Sequence, residues 1–533
     1  MRLETSQLSP PNLPRMLWRA RRALESGDTA KAERLYTAHL NCHPDDFDAL
    51  HGLAQLHYQR GQLDTALVLV QSALKIDAGR ADGFASLGLI FYFLRRLTEA
   101  LASYDAGLRI DPKHADLLNW RGVVLLDLQR AQEALQNFER VLATDPDRLD
   151  ALGNRGNALI KLNRPTEALA VYDRALALVP DNAQLLTNRA VALRRLDRPR
   201  EAVMSARRAA VVRPDFAHAR FVESVARLTL GDFETGWRGY EARWAVGALA
   251  SQRRNFTAPL WLGAEPLDGK TILLHAEQGF GDTIQFVRYA PLLAARGATV
   301  VLEVQAELVR LLSGMAGVAA AVARGASLSP FDFHCPLLSL PLAFATDLAT
   351  VPADIPYIAP AGDDTAIWRA RLRGGQVRVG LVWSGEPSHD NNLNRSLRLA
   401  TLAPLFDVPG VRFISLQHEL REDDAPVLQS LSQIFQIEEK FKDFADTAAT
   451  LAQLDAVISV DTAVAHLAGA MGKPLFLLLP FAADFRWLRE RADSPWYPSA
   501  RLFRQPRFGD WDSVVNVVRQ ELAAVYSHRE VAA

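Results

Sequence analysis

The sequence predicts two halves of different class. An α solenoid runs over residues 13–244, and an α/β half follows with two Rossmann-like units at 255–365 and 376–533. Three observations point there: a 34-residue period in the first half, strand–helix alternation in the second, and a glycine-bearing loop directly after the first strand of that second half.

The period is carried by residue types with steric meaning. Pro112, Pro146, Pro180 and Pro214 fall in register with Pro44, and Ala78 stands where one proline is missing. Ala32, Ala66, Ala100, Ala134, Ala168 and Ala202 keep the same step, and a second small-residue row runs Ala54, Gly88, Gly122, Gly156, Ala190 and Ser224. This is the signature of tetratricopeptide helix pairs. Within one unit, Leu152, Arg155, Gly156 and Leu159 share one helical face, and Ala168, Tyr172 and Ala175 share another. No unit buries its face alone, so seven units are expected to stack into one superhelix with an atypical first member.

The seventh unit changes character. Trp237, Tyr240 and Trp244 stripe one face of its second helix, which is expected to dock the rod onto the next domain. Asp48, Asp82, Asp116 and Asp150 recur in the first turn of each first helix, where carboxylates answer the helix dipole. Asn119, Asn154, Asn157 and Asn188 fall at or near the inward-facing positions. Amide side chains there form an incomplete ladder suited to an extended peptide, because each offers a donor and an acceptor to a peptide backbone.

After Pro259-Leu260-Trp261 the grammar changes. Thr271–His275 reads as a buried strand, Glu277–Asp282 as a glycine loop, Thr283–Arg296 as a helix, and Thr299–Val304 as a second strand. The pattern restarts with strands at Val377–Trp383 and Val411–Leu416. A strand at Ala456–Val460 then leads into a helix over Thr462–Met471, and Pro474–Pro480 comes next as a strand. Two such units joined near Pro360–Gln376 imply a cleft between them, and the final helix from Asp510 is expected to pack near it.

Three segments of this half carry a family likeness: GFGDTIQFVRYAP (Gly279–Pro291), GLVWSGEPSHDNNLNRSL (Gly380–Leu397) and DFADTAATLAQLDAVISVDTAVAHLAGAMGKP (Asp443–Pro474). Together they resemble GT-B glycosyltransferases of the ADP-heptose:lipopolysaccharide heptosyltransferase type, glycosyltransferase family 9. In architecture the chain is also similar to the protein O-GlcNAc transferases of family 41, whose own catalytic-domain motifs are not found. The resemblance implies a GT-B fold and an inverting transfer of a sugar from a nucleotide-sugar donor, with no further cofactor.

Residue chemistry runs alongside that implication. Asp282 follows Gly279 and Gly281, and a carboxylate at a helix start reads equally as an N-cap or as a base for an acceptor hydroxyl. The resemblance assigns the matching aspartate to catalysis. Asp461, Thr462, Ala463 and Val464 open a helix straight after a strand, a place where free N–H groups suit a phosphate. The resemblance puts the donor diphosphate there and identifies His466 as the family's histidine; alone, His466 reads as a core residue. Family members often carry glycine at the position of Ala463. Arg395, beside Ser396, stands where heptosyltransferases commonly use lysine, and suits a bidentate phosphate contact. Trp383 and Ser384 end a strand and are expected to touch ribose or base, with Phe481–Trp487 following another strand end.

Bulk properties narrow the classes. The 533 residues are 49% hydrophobic and 23% charged with a formal net charge of -1, which gives no electrostatic case for nucleic acid. Cys42 and Cys335 make no disulfide framework, the N-terminus lacks an apolar signal region, and no stretch is long and apolar enough to span a membrane. A cytoplasmic protein is expected. Acid pairs at Asp46/Asp48, Asp145/Asp147 and Asp510/Asp512 lie in repeat turns or at a helix start, so no metal is expected. The expectation is a metal-independent glycosyltransferase whose repeats recruit a protein or peptide acceptor. The alternatives are an inactive binding scaffold of the same fold and a glycan-directed enzyme of the cell envelope.

Overall fold

The computed structural model describes residues 14–372, 377–389, 391–437 and 441–526. The N-terminal segment, part of the expected joint between the two sheets, Asp390 of the second motif and the last residues of the chain lie outside the described residues. The chain divides into two compact units, Met1–Pro180 and Asp181–Ala533.

The first unit is a stack of ten helices from Arg15–Glu25 to Pro165–Leu178. Its small-residue row is explained by the aromatic opposite each glycine. A Cβ built on Gly88 falls 2.4 Å from the Tyr104 ring, one on Gly122 falls 2.5 Å from Phe138, and one on Gly156 falls 2.3 Å from Tyr172. Glycine and ring therefore form one packing unit, and the ring fills the space the missing side chain leaves. The recurring aspartates do more than answer the helix dipole. Asp48 accepts from Arg80 at 2.9 Å, Asp82 meets His114 at 3.2 Å, and Asp116 accepts from Arg148 at 2.5 Å, so each ties its repeat to the cap residue of the next.

The turn inside each helix pair has its own rule. Gly27, Gly61, Arg95, Gln129, Asn163, Asp197 and Gly231, one residue per repeat, all adopt positive φ, between 52° and 82°. This left-handed residue ends the first helix of every pair, and glycine supplies it without strain in three of the seven.

The second unit begins with four more repeat helices, Ala183–Arg195, Pro199–Val212, Ala217–Thr229 and Phe233–Tyr240. The chain then builds two all-parallel sheets. The first takes β1 (Thr271–His275), β2 (Thr299–Val304), β3 (Ala320–Ala323) and β4 (Phe333–Pro336) in the order β3-β2-β1-β4. The second takes β5 (Val377–Val382), β6 (Val411–Ser415), β7 (Ile434–Phe435), β8 (Ala456–Val460), β9 (Leu475–Leu479) and β10 (Ala500–Arg504) in the order β10-β9-β8-β5-β6-β7. Crossovers between parallel strands and the near-continuous apolar runs of β8 and β9, buried at every residue, are what a sheet covered on both faces requires.

Two expectations need correction. The helix expected over Thr283–Arg296 is broken into Phe280–Phe286, a 3-10 turn Val287–Tyr289 and Ala290–Ala294, because Pro291 has no N–H for the continuing ladder. The final helix, Trp511–Tyr526, does not pack near the expected cleft. Its Val514, Val515, Val518 and Leu522 share a core with Val377, Val379 and Leu381, whereas the glycine-loop helix shares the opposite core with Val382 and Val457. The aromatic stripe does dock the last repeat. Trp237 meets Phe286 and Phe485 edge-on at centroid distances of 5.9 and 5.7 Å.

Candidate functional site

The glycine loop after β1 and the helix after β8 meet face to face. A Cβ on Gly281 falls 2.7 Å from Cδ2 of His466 and 3.6 Å from the Cα of Ala463, so only a residue without a side chain lets the two backbones come this close. Asp282 stands at this junction. Its Oδ2 accepts from the Gly279 N–H at 2.9 Å, and its Oδ1 is ion-paired with Arg486. It is thus a helix-capping residue whose carboxylate, 18% exposed, also faces the junction. Each carboxylate oxygen keeps a second lone pair.

Arg486 is the residue sequence reasoning passed over, although it lies in the Phe481–Trp487 segment. It is 9% exposed and bridges Asp282 to Asp484, whose Oδ1 it reaches at 2.7 Å. Burial opposes its charge, but the Asp484 and Asp282 carboxylates hold the guanidinium protonated above its ordinary range.

On the other side, the helix Ala463–Ala470 starts at Thr462 with no side chain capping it. Its first N–H groups are the kind of orphan donors that anions satisfy. Arg395 donates from Nη1 to the Asp461 carbonyl at 2.9 Å, while its buried Nε finds no hydrogen-bond partner among the described residues. Burial pushes the Asp461 carboxyl up, yet the His466 ring 3.7 Å away and the Arg395 charge outweigh it and hold the group down at about 2. His466 is fixed by a 2.9 Å bond between Nδ1 and the Tyr497 hydroxyl and by stacking on Trp487 at 5.2 Å. Gly279, Gly281, Asp282, Arg395, Asp461, Thr462, Ala463, Val464 and His466 therefore belong to one locality.

Three donor-side expectations fare differently. Trp383 is 0% exposed and donates from Nε1 to the buried Asp424 at 3.0 Å, so it is a core residue rather than a ribose or base contact. Strand parity explains this: it shares the face of Val377, Val379 and Leu381, the one covered by the final helix. Ser384 is buried and its backbone is clamped by Gln417, which accepts from its N–H at 3.1 Å and donates to its carbonyl at 2.9 Å. Ser396 uses its hydroxyl inside the loop, donating to Asn392 at 2.8 Å and accepting from the Gly385 N–H at 3.0 Å.

The amide ladder is also partly redrawn. Asn154 donates to Asn119 at 3.1 Å and Asn119 donates to Asp150 at 3.0 Å, a rung that joins neighbouring first helices. Asn157 does not face the groove: it accepts from the Tyr172 hydroxyl at 2.8 Å, inside its own helix pair. Asn188, in the second unit, is buried and accepts from Gln184 one turn earlier at 2.9 Å.

The last repeat supports the glycine loop from behind. Arg243, fully buried, forms a bidentate pair with Glu277 at 2.7 and 3.0 Å, and Gln278 donates to the Tyr240 hydroxyl at 3.1 Å. The matched pair keeps two charges buried where either alone is strongly disfavoured. Tyr240 belongs to the aromatic stripe, but nothing in the local pattern pairs Arg243 with Glu277, which stand 34 positions apart on different elements.

Comparison with known proteins bears on the repeats. Family models described as tetratricopeptide repeat match residues 23–88, 86–148 and 125–183. Protein FlbA of Caulobacter vibrioides is 26% identical over 331 residues, covering 57% of this chain and 55% of FlbA, so the chain spans little more than half of that relative. Among solved structures, YrrB, a TPR protein with an unusual peptide-binding site, is 22% identical over 34% of this chain and 95% of its own, with a TM-score of 0.30. A tetratricopeptide repeat protein from Parabacteroides merdae ATCC 43184 is 18% identical over 44% of this chain and 92% of its own, with a TM-score of 0.38. Among the described residues no helix is long and apolar enough to cross a membrane. The first part of the chain is a tetratricopeptide-repeat solenoid, a protein-interaction architecture.

Proposed function

We propose that the chain is an inverting, metal-independent glycosyltransferase of GT-B type, moving a sugar from a nucleotide-sugar to an acceptor recruited by the repeats. The observation that carries the reading is the junction of the Asp282 loop with the uncapped Thr462–Val464 turn, at the carboxyl ends of β1 and β8. In this reading the acceptor hydroxyl attacks the anomeric carbon as the bond to the diphosphate oxygen breaks. Asp282 takes the hydroxyl proton. The departing diphosphate is received by the N–H groups of Ala463 and Val464 and by Arg395, whose fixed charges do the work of a metal. Arg486 keeps the carboxylate aimed.

The repeats favour a protein or peptide acceptor, because such solenoids present an extended inner face. The contacts of Asp282 favour one rival, an inactive scaffold, since both carboxylate oxygens are already engaged, one by Arg486 and one by the Gly279 N–H. A thermal-shift series with ADP-, UDP-, GDP- and CMP-sugars identifies the donor class, because a ligand that binds only the folded protein raises Tm. With that donor, Asp282→Asn is expected to lower turnover by at least about a hundredfold while keeping the ligand-induced shift. Turnover at the wild-type rate removes Asp282 as the base, and a donor that binds without transfer to any protein or glycan acceptor favours the scaffold.

A further inference from the structure

One short segment touches both sides of this junction and the repeats. Within Asp484–Arg491, Arg486 holds Asp282, Trp487 stacks on His466, and Arg489 donates from Nε to both carboxylate oxygens of Asp197 at 2.9 and 3.1 Å. Asp197 belongs to the repeats: it is the left-handed residue that ends the helix Ala183–Arg195. The segment itself is strained on both sides of Arg489, with Leu488 at φ 54° and Glu490 at φ 53°. Such backbone persists only when its surroundings over-determine it. Next to Asp197, Arg195 donates to Asn391, the residue that precedes the short helix Asn392–Arg395. The same turn of the solenoid therefore touches the strained segment and the start of the helix that ends in Arg395.

We infer that Asp197 and Arg489 are a positioning pair, through which the repeat turn 195–198 holds the strained segment in the form that aims Arg486 at Asp282 and Trp487 at His466. The inference rests on the glycosyltransferase reading for its kinetic consequence, but the ordering itself is independent of it. The pair is well placed for that task, with 22% and 28% of its side chains exposed, because it is shielded enough to be directional without being a core charge whose loss unfolds the protein.

The test is a double-mutant cycle in the full chain with Asp197→Gly and Arg489→Gln. Glycine is the apt replacement because Gly27, Gly61 and Gly231 occupy the equivalent turn position, so the backbone is not strained by the change. Each single variant is expected to lower kcat by about tenfold or more with Tm within a few degrees of wild type, as displaced catalytic groups do. The double variant is expected to be no worse than either single one, the mark of a shared interaction. Amide hydrogen exchange is read in the same proteins: protection of residues 484–491 is expected to fall in all three variants while that of the final helix is unchanged. If the wild type transfers no sugar, the exchange arm still decides the inference. Unchanged protection at 484–491, or kinetic losses that multiply in the double variant, overturns it.

Discussion

Gly281 and His466 stand so close that the hydrogen on the glycine Cα occupies the only space between them: a methyl there lies 2.7 Å from the imidazole Cδ2. The ring has nowhere to retreat, because Tyr497 bonds its Nδ1 and Trp487 stacks on its face. The loop after β1 and the helix after β8 thereby approach where a side chain is absent.

Gly281→Ala is consequently expected to destabilise the second unit by about 1–3 kcal/mol, the usual cost of overpacking a filled site. Calorimetry measures the loss. The same variant is expected to weaken a nucleotide-sugar-induced thermal shift, because the added methyl forces the loop away from the Ala463 end of the helix. A variant as stable as wild type means the junction opens freely.

Trp383→Phe separates core from ligand contact. Losing the indole N–H leaves one bond fewer on the buried Asp424 carboxylate, which also serves the Leu399 N–H at 2.9 Å and Arg421 at 2.9 Å. A loss of about 1–3 kcal/mol in chemical denaturation is expected, with donor affinity within about twofold of wild type. Weaker donor binding at unchanged stability is the result that restores Trp383 to the ligand site.

Acid titration reads the Asp461–His466 contact. Asp461 is held at about 2, below its ordinary value of 3.8, so its contribution is complete above pH ~4 and fades as pH falls toward 2. His466→Gln removes the ring contact that helps hold the carboxyl down. Its stability is expected to fall at neutral pH and to depend less on pH between about 4 and 2, followed by fluorescence-detected unfolding. An unaltered acid limb argues against the contact.

Deletion series test where the α/β body begins. Val225, Leu228, Phe233, Trp237 and Tyr240 share a core with Ile272, Ile284 and Phe286. Removing residues through Pro180 is expected to leave a cooperatively unfolding protein that still responds to the donor. Removing residues through 230 takes Val225 and Leu228 away, and is expected to give an aggregating product in size-exclusion chromatography. Equal behaviour of the two deletions places the boundary elsewhere.

Local rules account for the repeat half almost completely. A 34-residue period can be read from the chain because the glycines of one row each face a ring one helix away and the prolines mark the turns between units. The glycine loop, Asp282 and the Asp461–Val464 turn were legible for a similar reason, since strand–loop–helix grammar is local as well. Long-range packing was needed to turn Trp383 into the core, to face Asn157 toward its own helix pair, and to gather Arg486, Arg243 and Asp197 around the junction. Those are matters of which face a side chain takes and which distant carboxylate it meets. No short-range pattern encodes a partner 204 or 292 residues away; the packing of whole sheets and helices does.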